Sequence, residues 1–395
     1  MPQSSRRTLP AALCTVTLVL SACGAPGAIP EEQGEDGPIK VGVVYSASGP
    51  LATYGKLYYE GFQAGLDYAT DGTMELDGRP IEVTEMDDAG DPAKAVSAAR
   101  ELIGSGHTIL AGSTSSGVAV QVAPVAAENE VLFVSGPAAT DAITGVNDYT
   151  FRSGRQTYQD IRTAATFMAD PDGADVTVFA QQSAFGQDNV DAVTAVLEEQ
   201  GATVDSILAP PDSTDLIPFA EQAREADPDL LFVAWAGETA SAMWQALGQR
   251  GVLESTKVVT GLDISASYPV FGEHKGDIEF LAHYFDGAAD TEVAAAMRER
   301  VEQDGGTVDL FTPDGFTAAQ MVVRAASAGD DTQERISALE GWTFDGVKGE
   351  LTVRAEDHAL LQPMYQARLT GSGEDAHPEL VESVPADRIA PPVGE

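Results

Sequence analysis

The sequence predicts a doubly wound α/β fold, and three observations carry that expectation. From residue 39 onward, short apolar runs alternate with amphipathic stretches in β-then-α order, the pattern of parallel sheets covered by helices. Several runs are too uniformly apolar to keep a wet face, as buried parallel strands require. Helix starts carry physical signals, clearest at Asp91-Pro92, where a capping carboxylate precedes a proline at the first helical position.

In chain order the strands fall at 39–45, 81–86, 108–111, 131–135, 176–180, 230–235, 257–260 and 279–282. Helices fall between them at 58–69, 92–103, 118–128, 158–168, 187–199, 217–226, 240–249, 292–303 and 318–326. No internal repeat interrupts the alternation. Residues 371–395, rich in Pro and acid, are expected to be loosely attached. A chain of 395 residues with 43% hydrophobic composition has material for two or three well-filled cores.

Charge excludes more than it names. Lys and Arg number 22 against 62 acids, a net −40. Such a field repels phosphate backbones and anionic membrane surfaces, so no nucleic-acid partner is expected. Only Cys14 and Cys23 are present, so the body from residue 24 onward can hold neither a disulfide nor a cysteine metal site.

Those cysteines lie in a processing segment. Arg6 and Arg7 precede an apolar stretch at 9–20, too short to span a bilayer. It ends in Leu20-Ser21-Ala22-Cys23-Gly24, which resembles a bacterial lipobox. Residues 1–22 would then be a lipoprotein signal peptide, Cys23 the lipidated residue, and 23–37 a flexible tether reaching roughly 20 Å. An ordinary signal peptide is the alternative, and the Ser5-Arg6-Arg7 triplet leaves general and twin-arginine export both open. Processing removes two Arg and no acid, leaving 20 cations against 62 acids, or −42. The body is expected to be extracytoplasmic and lipid-anchored to the outer face of the cell membrane.

Catalytic signatures are missing. There is no G-x-S-x-G elbow, no G-x-G-x-x-G after a strand and no Walker loop, and the five histidines are scattered. Asp87-Asp88 reads as a paired acid or, more simply, a solvated strand end. No enzyme, cofactor or metal is expected.

Four blocks follow in order: Ser48-Gly49-Pro50 with Tyr54-Gly55, then Asp87-Asp88-Ala89-Gly90-Asp91-Pro92, the serine turn 113–117, and Pro137-Ala138-Ala139-Thr140. Together, behind a lipobox, they resemble the leucine/isoleucine/valine-binding branch of type I periplasmic binding proteins, the substrate receptors of ABC importers. The resemblance implies two parallel-sheet lobes joined by a three-strand hinge. The N-terminal lobe would hold 38–155 plus 285–352, the C-terminal lobe 156–284 plus 353–385, with a tail at 386–395. It also implies a monomer that works with permease subunits and closes on one small ligand, a branched-chain or hydrophobic amino acid or a related molecule. Urea, amides or aromatic carboxylates remain alternatives, as does a sensory role for the same fold.

The resemblance further implies a set of contacts. Ser116, with Ser115 beside it, would bind the ligand carboxylate, as an unsatisfied helix N-terminus suits. Ala138 would offer its carbonyl to an ammonium, and Thr140 its amide and hydroxyl; for Ser116 and Thr140 plain helix capping is the alternative. Tyr54 would cover the ligand, and Phe185 a further aromatic position. Trp235 or Glu238 would stand in for the lid Tyr that family members carry after the Gly pair and this sequence lacks. Asp263, in Gly261-Leu262-Asp263, would pair with the ammonium, although family members carry the longer Glu there. Arg152 and Gln156-Thr157-Tyr158 would add polar contacts at the first hinge crossing.

Overall fold

The computed structural model describes residues 37–393; the leader, Cys23 and the tether as far as residue 36 lie outside the described residues. The first elements are β1 (Ile39–Tyr45), α1 (Ala52–Ala69), β2 (Glu75–Leu76), β3 (Arg79–Asp87), α2 (Pro92–Gly104), β4 (Ile109–Gly112), α3 (Ser116–Glu128), β5 (Leu132–Ser135) and β6 (Thr150–Arg152). Their strands form one sheet in the order β2-β3-β1-β4-β5-β6, parallel throughout except for β2. Every residue of β4 and β5 is buried. The reason is that both faces are covered. Leu102, Val118 and Val122 pack on one side, and Phe62, Met321 and Ile336 on the other.

A second βα series follows: α4 (Thr157–Ala165), β7 (Asp175–Gln181), α5 (Ala184–Glu198), β8 (Thr203–Ala209), α6 (Ile217–Ala226), β9 (Leu230–Ala234), α7 (Ala240–Gln249), α8 (Val252–Ser255), β10 (Lys257–Gly261) and β11 (Ile278–Ala282). The chain then returns to the first layer through α9 (Glu292–Gln303), α10 (Thr312–Ala326), α11 (Thr332–Leu339) and a small antiparallel sheet of β12 (Thr343–Gly346), β13 (Gly349–Val353) and β14 (Leu360–Leu361). It ends in β15 (Met364–Thr370), β16 (His377–Val384) and α12 (Ala386–Ile389). The second sheet therefore runs β16-β15-β11-β10-β9-β7-β8, with β15 and β16 antiparallel at its edge. The chain crosses between the two layered sheets three times, after β6, after β11 and after β14.

Backbone contact fixes how α1 sits. A Cβ on Gly61 would fall 1.9 Å from the Thr312 carbonyl oxygen, and one on Gly315 would fall 1.8 Å from that of Tyr58. Only glycines let α1 and α10 approach this closely. The same device holds the start of α1 against β1, where a Cβ on Gly55 would meet the Ser46 carbonyl at 2.0 Å. Hence α1 starts at Ala52, six residues earlier than its periodicity predicts, and Tyr54 is helical.

The expectation of a loose C-terminal segment is overturned. β16 pairs with β15 from Met364↔Val384 to Thr370↔His377. Beyond it, Ile389 is fully buried against Met364 and Val384. Arg354 then donates to the Pro391 carbonyl at 2.7 Å. The strand escaped the sequence reading because most of its side chains are exposed, so backbone pairing and not apolar alternation defines it. Replacing Ile389 with Ala should lower unfolding stability by about 2–4 kcal/mol in urea titrations. An unchanged midpoint would return the segment to a loose tail.

Candidate ligand-binding cleft

Strand order reverses at β1/β4 in the first sheet and at β7/β9 in the second, the switch points where α/β sheets place ligands. Loops beyond the carboxyl ends of both sheets enclose a cavity of about 550 Å³. From the first sheet come Leu51 and Tyr54, the turn 114–117, and Pro137 with Ala139. From the second come Gln181, Phe185, Ala236 and Glu238. Arg155 and Phe311 lie at the floor, shared with an inner chamber of about 70 Å³ that also reaches Asp160, Trp235, Asp263 and His283. A side pocket of about 180 Å³ lies beyond Tyr54.

Each wall is held by identifiable bonds. Asp88 accepts from the Ser46 hydroxyl at 2.7 Å and from the Gly90 amide at 2.7 Å. Asp87 accepts from the Ser48 hydroxyl at 2.6 Å and the Ala47 amide at 3.0 Å. The acidic pair therefore staples the loop ahead of α1, and neither member lines the cavity. The serine turn is equally constrained. Ser113 has φ +72°, Gly112 has φ +120°, and a Cβ on Gly112 would sit 2.0 Å from the Val44 carbonyl. This sharp strand-to-helix turn points the start of α3 into the cleft.

At that start, Ser115 occupies the capping position, yet its side chain makes no cap bond. Its hydroxyl is without a partner among the described residues and lines the cavity. Ser116, buried, accepts from the Thr140 amide at 3.3 Å, so two predicted anion contacts are bonded to each other. The Thr140 hydroxyl accepts from the Ala142 amide at 3.2 Å and lies beside the Asp188 carboxyl of α5. The Ala138 carbonyl accepts from Arg152 Nη2 at 2.9 Å. Neither Ala138 nor Thr140 faces the cavity; Pro137 and Ala139 do.

Tyr54 joins the two layers directly. Its hydroxyl donates to Asp263 Oδ1 at 2.7 Å and accepts from the Gly237 amide at 3.3 Å. Burial and the adjacent carboxylate push the Tyr54 pKa well up, so it stays a donor. Burial likewise raises Asp263, against the bonds from Tyr54 and the Ile264 amide. Asp263 therefore lines the side pocket and inner chamber but not the main cavity. Glu238, exposed at the mouth, does reach it. Phe185 faces both main cavity and inner chamber. Trp235 lies in the inner chamber, donating to the Thr239 hydroxyl at 3.0 Å and packing on Phe179.

Comparison with known proteins agrees with this fold. The model of a family described as periplasmic binding protein matches residues 38–375. The chain belongs to that family. Among curated relatives, the Leu/Ile/Val-binding protein BraC3 of Rhizobium johnstonii is 31% identical over 202 residues, or 50% of this chain and 53% of that protein. The Leu/Ile/Val-binding protein homolog 6 of Brucella abortus is 24% identical across 83% of this chain and 86% of its own. Among solved structures, an ABC-type branched-chain amino acid transporter from Rhodopseudomonas palustris is 31% identical with a TM-score of 0.74, covering 90% of this chain and 99% of that one. A solute-binding protein from R. palustris in complex with 4-hydroxybenzoate shares the fold at TM-score 0.80 and 21% identity, covering 88% and 97%.

For this periplasmic binding protein, the sequence reading missed Arg155, Phe311 and Gln181 as cleft residues. Arg155 had a signal: it is a cation in a strongly acidic chain, one residue before the flagged Gln156-Thr157-Tyr158. Those three serve the scaffold. Gln156 bonds Asp141, Thr157 bonds the Ala139 carbonyl, and the Tyr158 amide donates to Asp141. Phe311 sits on the connection into α10 and packs tilted against Tyr54, with ring centroids 4.7 Å apart, which no local pattern announces.

Asp188, beside Thr140, has its pKa raised to about 6, chiefly by burial. Its folded pKa lies above the unfolded value, so the stability it contributes is present below about pH 4 and lost as pH rises through 6. Asp188→Asn should therefore remove about 1–2 kcal/mol of the stability loss between pH 4.5 and 7.5. Parallel pH profiles for both proteins would refute this assignment.

Proposed function

We propose that the chain is the lipid-anchored, extracytoplasmic receptor of an ABC importer and that it captures a small carboxylate. The class includes branched-chain and hydrophobic amino acids and related acids. The observation that carries this reading is the Ser115 hydroxyl, unpartnered among the described residues at the first turn of α3 and facing a half-open cavity between two sheets. Backbone amides of a first helical turn lack intrahelical partners, and the helix dipole favours an anion there. Tyr54, Leu51, Phe185 and Phe311 supply the apolar enclosure for the rest of the ligand.

Two groups expected to hold an ammonium are already bonded, the Ala138 carbonyl to Arg152 and Asp263 to Tyr54. That supports acids without an α-amine alongside amino acids, with Asp212 and Glu238 the acids that line the main cavity. Magnitudes require closure. A micromolar ligand needs about −8 kcal/mol, roughly 0.8 kcal/mol per heavy atom for a ten-atom molecule. Near-complete enclosure supplies that, so lobes 38–155 plus 285–352 and 156–284 plus 353–385 would shut around the ligand, with Tyr54–Asp263 as one contact of the closed form.

Isothermal titration of ligand-free protein with leucine, valine, benzoate, 4-hydroxybenzoate and urea tests the reading. At least one acid should bind at micromolar level, and Ser115→Ala should weaken it about tenfold. A folded protein that ignores every acid, or a Ser115→Ala variant of equal affinity, would overturn the carboxylate assignment. The anchor has its own check: Cys23→Ser should shift the protein from the membrane to the soluble fraction, and retention on the membrane would rule out lipidation at that residue.

A further inference from the structure

Arg155 is the one cation lining the main cavity among the described residues. It sits on the first crossing, immediately before α4, with its side chain about 10% exposed. Nη1 donates to the Pro137 carbonyl at 2.6 Å and Nε to Asp160 Oδ2 at 3.2 Å, while the guanidinium carbon stands 5.9 Å from the Phe311 ring centroid. Those three contacts lock the guanidinium plane. No group among the described residues accepts from Nη2, and Nη2 is not sealed off inside the protein, so this donor opens onto the cleft that Arg155 lines. A guanidinium held rigid with one donor free is preorganised for an oxygen acceptor, because ordering its long side chain costs nothing further on binding.

The surroundings leave this charge for a ligand. Asp160 accepts from Arg155 on one oxygen only, and burial raises its pKa, so its hold on the cation is weakened. Lys348, also buried, has no hydrogen-bond partner and adds positive potential to the same region. His283 is held neutral by burial and contributes no charge. The acidic residues that line the main cavity, Asp212 and Glu238, are exposed on the opposite wall, from the second sheet.

We infer that Arg155 determines specificity by binding a second oxygen acceptor of the ligand, so that the preferred substrate is a two-ended acid. One carboxylate rests at Ser115, an apolar middle lies among Leu51, Phe185 and Phe311, and a second group, best a carboxylate, meets Arg155 Nη2. The inference rests on the carboxylate reading of Ser115, and it selects within that reading. A one-ended hydrophobic acid in this cavity would leave the Arg155 donor desolvated and unpaired, the condition that gives polar sites their strongest discrimination.

The test uses pairs that differ at the far end: 4-methylbenzoate against terephthalate, and leucine against glutamate, titrated into the full-length chain. In at least one pair the two-ended acid should bind ten times tighter or more. Arg155→Met should bring that ratio to within threefold. Because Arg155→Met strands the Asp160 carboxylate, the Arg155→Met/Asp160→Asn double variant, which removes both charges, is measured beside it; thermal melts report which of the two is folded. Equal or tighter binding of the one-ended member in both pairs overturns the inference and leaves the Ser115 reading standing. A ratio that survives in a folded Arg155 variant also overturns it. Failure of all four acids to bind removes both readings together.

Discussion

Arg152 is the interaction on which the cleft is built. Its guanidinium is 1% exposed and donates to the carbonyls of Ala138, Thr140 and Arg155 and to the Thr144 hydroxyl. Burial pulls its pKa down to about 10, against the nearby Asp141 carboxylate, so it remains a cation at neutral pH. A charge taken this far from water persists only when its donors are met, and here backbone carbonyls meet most of them. By turning the carbonyls of residues 138 and 140 inward, Arg152 leaves Pro137 and Ala139 to face the cavity. It also fastens the backbone of Arg155, which places that side chain at the cleft floor.

Around this anchor the first two crossings meet α10 and the β12–β13 turn in a buried polar cluster. Arg155 and Asp160 come from the first crossing, His283 from the second, and Asp314 and Lys348 from α10 and the β12–β13 turn. Burial raises Asp314 to about 6 and lowers Lys348 to about 8, each moderated by the other's charge. Several of these groups keep an atom without a partner, including Asp160 Oδ1, Lys348 Nζ and His283 Nε2. Buried charge clusters of this kind are often no more stable than apolar packing of the same volume. What the polar cluster supplies is a charged floor beneath an apolar cavity, at the level where the two layers join.

Much of this was legible in the chain. The buried strands β1, β4, β5, β7, β9, β10 and β11 appear as apolar runs because both faces of each sheet are covered. The edge strands β2, β8 and β16 did not, because their outward side chains carry no apolar period. The serine turn and the blocks around Tyr54 and Thr140 led to loops that line the main cavity. Which atoms those loops present was not legible. Ser115 and Ser116 are neighbours of one type, yet one hydroxyl opens on the cavity and the other is taken by Thr140. Asp263 belongs to a ligand-like pattern, yet Tyr54 occupies it.

Local chemistry and periodicity thus determined the fold class, while the four ordered blocks carried the family resemblance and marked the loops around the main cavity. Those depend on burial patterns and turn residues, which are properties of short segments. Tertiary structure decided which polar atoms remain free. A hydroxyl, carbonyl or guanidinium is available to a ligand only if nothing distant in sequence has bonded it first. That competition set Ala138 and Thr140 against Arg152, Asp263 against Tyr54, and left Arg155 with a donor open to the cleft.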